Sequence, residues 1–461
     1  MLRVPKGVTL VVGLGLSGRA ICRHLTRIGV PYMVADTRDV PPGLEDFYAA
    51  HPGIKVHCGS LTLLDLTDAH EVVISPGLDP RMAGLEGLAE RINPRTGEPM
   101  VVGEIALFTR SAEVPIAAIT GSNAKSTVTT LLGEMAAAAG IRAAVGGNLG
   151  TPALDLLSDQ PDAELYILEL SSFQLETTPH LGAACAAFLN LSEDHLDRHG
   201  DMQGYRAAKQ RIFIGAQSAV VNADEPLTWP ELSTAEVAFF THKTPEANQW
   251  GLVWHQGQMM LAQGITPWLA IDELKMAGQH NYLNALAALA MGHALGFAST
   301  AMCDVLRDFK GLKHRSEVIA CINGVTWVND TKGTNVGATL AAINGIGATL
   351  EGRLILLAGG VGKGADFTPL AAPLSACARH VLVFGLDAPR LANALIEHVS
   401  VQQVEDLTQA MQIGFELAQP GDCVLLSPAC ASLDQFANYQ ERGEVFRRWV
   451  QHKAQQVGAI L

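Results

Sequence analysis

The stretch Pro115-Ile116-Ala117-Ala118-Ile119-Thr120-Gly121-Ser122-Asn123-Ala124-Lys125-Ser126-Thr127 decides the fold of this 461-residue chain. It begins as an apolar run of strand length. Gly121 breaks the run, and an Ala-rich amphipathic pattern continues to about Ala139, with Gly140 behind it. Strand, glycine turn and helix in this order open a parallel α/β unit. A helix N-terminus formed this way has free backbone N–H groups, which suit a phosphate. Lys125 adds an ammonium for the outer phosphates of a nucleotide, and Ser126 a hydroxyl for Mg2+. Residues 121–126 can therefore hold a triphosphate. The Walker pattern GxxxxGK[ST] is met only in part, because Ile119 stands at its first glycine and Ala124 at its second. An alanine in the left-handed region would cost about 1–2 kcal/mol relative to glycine. Residue 124 is therefore expected at negative φ, at the start of the helix.

The same opening occurs twice more. Residues 8–12 lead into Gly13-Leu14-Gly15-Leu16-Ser17-Gly18 and a helix through about Ile28, closed by Gly29. A second strand, 32–35, ends in Asp36, which fits the dinucleotide fingerprint GxGxxG with a following acid. In the C-terminal part, residues 353–358 lead into Gly359-Gly360-Val361-Gly362-Lys363-Gly364. Residues 423–426 lead into Ser427-Pro428-Ala429-Cys430-Ala431-Ser432. Three such openings, and the length, predict three domains, at 1–103, 104–311 and 312–461.

An ATP site also needs a carboxylate for its metal. Leu165-Tyr166-Ile167-Leu168-Glu169 is an apolar strand ending in an acid, followed by Ser171 and Ser172. Further on stands Asn190-Leu191-Ser192-Glu193-Asp194-His195-Leu196-Asp197-Arg198-His199. His195 and His199 have the spacing to share a helix face. The zinc-protease pattern HExxH is absent, since Leu196 follows His195. The acids around His195 favour a hard metal ion instead.

Composition sets the outer bounds. A net charge of -14 argues against a nucleic-acid protein, whose footprint is a basic patch. Eight scattered cysteines without a CxxC pair read as reduced, inert core thiols. No signal-peptide pattern and no apolar stretch of membrane-spanning length occurs. A cytoplasmic monomer without membrane or nucleic-acid partners is expected.

Several runs together resemble the Mur ligase family. They are Gly121 to Thr127, Glu169-Leu170-Ser171-Ser172-Phe173-Gln174-Leu175-Glu176, Asn190 to Arg198, and Tyr205-Arg206-Ala207-Ala208-Lys209. The match continues in Gly278 to Ala285, His314-Arg315, Asn329-Asp330-Thr331-Lys332 and Ser427 to Asp434. The second and the last of these runs resemble the D-glutamate-adding branch. The resemblance implies a Rossmann-like N-terminal domain for a UDP-substrate, a P-loop-type central ATPase domain, and a Rossmann-like C-terminal domain for the amino acid. It implies ATP-dependent ligation of D-glutamate to UDP-N-acetylmuramoyl-L-alanine through an acyl phosphate, with ATP and two Mg2+ sites.

The roles follow position by position. Gly121, Ser122, Asn123, Ala124, Lys125, Ser126 and Thr127 would hold the phosphates. Ser126 and Glu169 would bind one Mg2+, and His195 with a carbamylated Lys209 the second. A carbamate turns a cationic stem into an anionic oxygen ligand, which suits Mg2+. Asn281 would contact adenine, and Arg315, Asp330 and Lys332 would complete the nucleotide site. Asn148 would lie near the reacting carboxylate. Leu16, Ser17, Asp36, Thr37, Arg38 and Gly77 would hold the UDP part; Thr334, Lys363, Ser432 and Tyr439 would surround D-glutamate.

The chain departs from the family pattern at Ala124 for glycine, Thr331 for serine, Gly333 for alanine, Val361 for aspartate and Tyr439 for phenylalanine. Three other readings compete. An NAD-dependent oxidoreductase accounts for GxGxxG and Asp36 but leaves the phosphate loop and Glu169 without roles. Another amide ligase of the superfamily, such as a folylpolyglutamate synthase or a Mur ligase adding a different amino acid, shares the loop but not the two branch-specific runs. A non-catalytic nucleotide-binding module leaves Glu169 and Lys209 unused.

Overall fold

A computed structural model describes residues 1–231, 236–276, 279–347 and 350–458, with the backbone alone at residue 279. Gly278, which opens one of the runs quoted above, lies outside the described residues. Among the described residues the chain builds three main sheets, of five, nine and six strands.

The five-stranded sheet is parallel. Its spatial order is Val56–Cys58, Tyr32–Asp36, Thr9–Val12, Val72–Ile74 and Val101–Gly103. Thr9–Val12 and Tyr32–Asp36 are buried throughout, as expected of strands covered on both faces. The helix Leu16–Arg27 follows the first strand directly, as the glycine pattern predicts. Gly18 lets this helix approach so closely. A Cβ there would lie 1.7 Å from the Gly13 carbonyl oxygen.

In the nine-stranded sheet, Ile116–Thr120 is flanked by Leu165–Glu169 and Cys185–Phe188, both parallel to it. Glu169 is in register with Ile119, so the strand ends put Gly121 and Glu169 at the same edge. The sheet then runs on through Ser218–Asn222 and Glu236–Phe240 to an antiparallel hairpin, Trp250–His255 and Gln258–Gln263. Nothing in the reading of the sequence anticipated that hairpin. Trp250, Trp268 and His293 pack edge-on at its base.

The six-stranded sheet starts with an antiparallel edge strand, Glu317–Ile322, against Val325–Asn329. Cys423–Leu426, Leu354–Gly359, Ala378–Phe384 and Val401–Gln403 follow in parallel. One residue ties the loops at the ends of these strands. Arg442, in the helix Tyr439–Gln456, is 0% exposed. Its guanidinium donates to Thr331 Oγ1 (2.9 Å), Thr331 O (3.0 Å), Cys430 O (3.1 Å) and Gly359 O (3.3 Å). Burial pulls its pKa down to about 10, which still leaves it charged at neutral pH.

The chain divides into two compact units. One holds residues 1–191, 203–269 and 285–305; the other holds 192–202, 270–284 and 306–461. All eight cysteines are unpaired. Burial pushes Cys22, Cys423 and Cys430 up to about 12 and Cys185 up to about 11, so these thiols are inert, as expected. Cys321 is the exposed one. No helix among the described residues is long and apolar enough to cross a membrane.

Candidate active site

The phosphate loop forms where the sequence places it, with the helix Lys125–Ala138 starting at the predicted lysine. One expectation is overturned. Ala124 sits at φ 65, ψ -8, in the left-handed region and not at negative φ. The Walker pattern's second glycine marks a real conformational demand, and this chain meets it with alanine at a cost of about 1–2 kcal/mol. Contacts from outside the loop hold the strained residue. Replacing Ala124 by glycine is therefore expected to stabilise the protein by about 1 kcal/mol. A higher urea midpoint with an unchanged slope is the check.

Within the loop, the Lys125 ammonium donates to Gly121 O (2.9 Å) and Ser122 O (3.0 Å). Lys209 reaches the same carbonyl from the helix Met202–Gln210. Its Nζ donates to Gly121 O (2.8 Å) and Thr120 Oγ1 (3.3 Å), and lies 4.7 Å from the Tyr205 ring centroid. Ser126 and Thr127, at the start of the loop helix, are buried. Asn148 lies beside Glu169: its Nδ2 donates to Glu169 Oε1 (2.7 Å), and its backbone N–H to Glu169 O (2.8 Å). The first unit thus brings Lys125, Lys209, Asn148 and Glu169 to one edge of the sheet. The Ser171-Ser172-Phe173-Gln174 run after Glu169 is a capping box. Gln174 N–H donates to Ser171 Oγ, and Ser171 N–H to Gln174 Oε1.

In the same unit, Leu16 and Ser17 begin the helix after the glycine turn. Asp36 is already engaged within this unit. Its carboxylate accepts the Leu14 N–H (2.8 Å), the Arg38 N–H (3.0 Å) and two guanidinium bonds from Arg38 (2.8 and 2.7 Å). Burial opposes the charge, but Arg38 and the Leu14 N–H outweigh it and hold the carboxyl below its usual range. Asp36 therefore braces the Gly13–Gly15 turn and aims Arg38. Thr37 is half-buried, and Arg38 and Gly77 are exposed.

The second unit holds His195, Asn281, Arg315, Asp330, Lys332, Thr334, Lys363, Ser432 and Tyr439. His195 and His199 do not share a helix face. The helix is Leu196–His199, and His195 precedes it at φ 55. The i, i+4 spacing alone cannot reveal that break. Asp194 Oδ1 accepts the Lys363 ammonium (2.9 Å) and Oδ2 the Asn335 amide (3.3 Å), with His195 Nε2 at 3.6 Å. Burial works against this carboxylate, but Lys363 and His195 hold it charged, below its usual range. Val361, where an acid was expected, pairs its backbone with Ala431. A carboxylate reaches the loop from Asp387, which accepts the Gly362 N–H (2.6 Å). Lys332 Nζ lies 4.1 Å over the Tyr439 ring. Asn281 Oδ1 accepts the Asn284 amide (3.2 Å). Gly333 leaves room for these groups: a Cβ there would meet Ser427 Oγ at 2.6 Å and Asp330 Oδ2 at 2.7 Å, so an alanine requires those side chains to shift.

Asp330 is buried, accepting the Ser427 hydroxyl (2.7 Å) and the Ser316 N–H (3.0 Å). Burial pushes its pKa up to about 6, against the pull of those donors and of Arg315. The folded value exceeds the unfolded one, so the folded state binds the extra proton. The favourable contribution is complete below about pH 4 and is lost as pH rises through about 6. Asp330→Asn is expected to remove that slope and stabilise the protein near pH 8, by at most about 3 kcal/mol. Urea midpoints of both proteins across this pH range check it.

Comparison with known proteins shows the family. Family models match at residues 7–92 (Mur ligase MurD-like, N-terminal domain), 119–292 (Mur ligase middle domain) and 314–430 (Mur ligase, glutamate ligase domain). The UDP-N-acetylmuramoylalanine–D-glutamate ligase of Chromohalobacter salexigens is 63% identical over 450 residues, covering 98% of both chains. That of Pseudomonas aeruginosa is 50% identical over 446 residues, covering 96% of this chain and 98% of its own. The chain belongs to the Mur ligase family.

Solved structures show the fold this Mur ligase shares. UDP-N-acetylmuramate-alanine ligase from Thermotoga maritima superposes with a TM-score of 0.59 at 16% identity, covering 96% of this chain and 99% of that one. The bifunctional folylpolyglutamate synthase/dihydrofolate synthase from Yersinia pestis gives 0.57 at 19%, covering 75% and 91%. The three family matches, in order along the chain, make this the three-domain Mur ligase architecture.

The metal fit follows from the donors. Among the described residues no group of three or more His, Cys, Asp or Glu could hold an ion. Ser126 and Glu169 offer a hydroxyl and a carboxylate, both hard oxygens. Mg2+ suits such a sparse set, because it keeps waters and takes phosphate oxygens. The reading of the sequence left three residues of this Mur ligase without a role: Asn190, Ser427 and Arg442. Asn190 and Ser427 lay in quoted runs and Arg442 in none, and each has a partner far away in sequence.

Proposed function

We propose that this Mur ligase joins D-glutamate to UDP-N-acetylmuramoyl-L-alanine with ATP, by means of the residues assigned above. The near-full-length identity of 63% to a ligase named for that reaction carries the reading. Domains at 1–103 for the UDP-substrate, 104–311 for ATP and 312–461 for the amino acid are part of the proposal. So is a monomer acting in the cytoplasm, for which the unpaired cysteines speak.

A carboxylate is a poor electrophile and must be activated. Its oxygen attacks the γ-phosphorus of ATP, and ADP leaves. The amine of D-glutamate then attacks the acyl carbon, phosphate leaves, and the amine nitrogen gives up its proton. Positioning and charge neutralisation do most of the work in such a transfer. We assign residues 121–127 to the phosphates, with Lys125 releasing its loop carbonyls to meet the outer ones. Arg315, Asp330, Lys332 and Asn281 are assigned to the nucleotide. Asn148, held by Glu169, is assigned to orient the substrate carboxylate. Lys363, Thr334, Ser432 and Tyr439 are assigned to D-glutamate, and Leu16, Ser17, Asp36, Thr37, Arg38 and Gly77 to the UDP part.

Mg2+, when bound, neutralises charge on the transferring phosphoryl group. Ser126 and Glu169 would hold one ion. A second ion is also proposed, with His195 and a carbamylated Lys209 as ligand candidates.

The test is phosphate release with ATP, Mg2+ and UDP-N-acetylmuramoyl-L-alanine across a panel of amino acids. Release with D-glutamate alone is expected. Release with a different amino acid, or none with any, would overturn the assignment.

A further inference from the structure

We propose that Asn190 is the positioning residue of the phosphate loop: its side-chain amide fixes the peptide planes around Asn123 and so keeps Ala124 in its left-handed, phosphate-ready conformation. The inference rests on the reading that residues 121–127 hold ATP.

The contact is a two-way amide pair. The Asn123 N–H donates to Asn190 Oδ1 (2.8 Å), and Asn190 Nδ2 donates to Asn123 O (3.2 Å). The backbone adds a third bond, from Ser122 N–H to Asn190 O (3.0 Å). Residues 189–190 thus prolong the pairing of two parallel strands past their ends, since Leu189 N–H also donates to Thr120 O (3.0 Å). Gly121 allows this approach: a Cβ there would sit 3.2 Å from Leu189 Cβ and 3.5 Å from Asn190 N.

Asn190 is itself anchored. The next N–H, of Leu191, donates to Glu225 Oε2 (2.9 Å), and Glu225 Oε1 accepts the Asn222 amide (3.4 Å). Glu225 and Asn222 stand at the end of the next strand, Ser218–Asn222. The clamp therefore bears on the sheet and not on a free loop.

The consequence for the loop is geometric. In a trans peptide the C=O and the following N–H point in opposite directions. Holding Asn123 O toward Asn190 turns the Ala124 N–H the other way, away from the clamp. Rotation of that same peptide is the motion by which Ala124 would escape φ 65. Asn190 opposes it, which explains how an alanine occupies a position that ordinarily demands glycine.

The experiment measures MgATP binding by calorimetry, and KM for ATP and the UDP-substrate, in the full-length enzyme. Asn190→Ala is expected to weaken MgATP binding about tenfold or more and leave the UDP-substrate KM within about twofold. Ala124→Gly, whatever change it makes by itself, is expected to recover several-fold of the loss in the Asn190→Ala background. That non-additivity is the signature of one residue holding the other. Asn190→Asp keeps the acceptor for the Asn123 N–H but sets an oxygen against Asn123 O. It is expected to lose ATP affinity likewise, and carries the test if the alanine variant is insoluble. Unchanged ATP binding, equal losses for both substrates, or additive effects at 124 and 190 would each overturn the proposal. Failure of the wild-type protein to bind MgATP would instead overturn the reading of the loop.

Discussion

Replacing Lys209 by alanine is expected to lower kcat by about a thousandfold or more, the scale of losing a principal electrostatic group in a phosphoryl transfer. Lys209 is 1% exposed. Its ammonium and that of Lys125 lie on one carbonyl, Gly121 O, at 2.8 and 2.9 Å. Two cations on one carbonyl, one of them buried and the other half-buried, repel each other. Reaction of the neutral Lys209 amine with CO2, with loss of a proton, removes one of those charges and supplies an anion beside the loop. The family resemblance implies that this lysine is carbamylated, and the crowding of charge gives a physical reason. Short carboxylates such as formate are expected to restore part of the activity of Lys209→Ala, because they can occupy the vacated anionic position. Lys209→Arg keeps the cation but cannot form the carbamate, and is expected to be inactive and unrescued. Phosphate release under otherwise saturating conditions measures all three. Full activity of either variant would remove Lys209 from the mechanism.

Gly18→Ala is expected to destabilise the protein by more than about 3 kcal/mol, beyond the usual range for overpacking. The added methyl would fall 1.7 Å from the Gly13 carbonyl oxygen, 2.8 Å from its carbon and 3.1 Å from Ser75 Oγ. The obstacle is backbone, so no flexible side chain can swing aside. Gly13 cannot retreat freely either, since its N–H is bonded to Ala35 O (2.7 Å) and its carbonyl accepts the Ser75 hydroxyl (3.2 Å). Either the helix Leu16–Arg27 lifts from its strand or the turn opens, and both displace Leu16 and Ser17. Urea unfolding and UDP-substrate affinity should therefore fall together. Gly15→Ala is the control: nothing lies within 4 Å of a Cβ there, and φ is -76, so little change is expected.

Local patterns were legible in the sequence wherever short-range chemistry sets the structure. The loop helix begins at Lys125 and the strand Cys423–Leu426 falls where the apolar run predicts, because runs, glycines and helix starts act over a few residues. The failures share a different cause. Ala124 was read from its intrinsic preference, but Asn190, 66 residues on, overrides that preference. His195 fits a helix by spacing, yet its φ of 55 ends the pattern one residue short. Asp36 carries the mark of a ribose acceptor, and only the folded chain reveals Arg38 and Leu14 already bonded to it. Asp194 and Lys363 are 169 residues apart, and no periodicity links them. Contacts made across the fold leave no local trace in a single sequence, and they decide how the assigned groups are held.

The uneven accessibility of the thiols has a practical consequence for anyone labelling this enzyme. Cys321, on the edge strand Glu317–Ile322, is open to solvent, while five of the other seven are buried and Cys58 and Cys377 half-buried. A maleimide fluorophore in slight excess will collect at Cys321, giving a single-site reporter without mutagenesis. The same asymmetry makes Cys321 the first place to look when an electrophilic compound scores as an inhibitor, and Cys321→Ser is the counter-screen that separates surface adducts from true ligands.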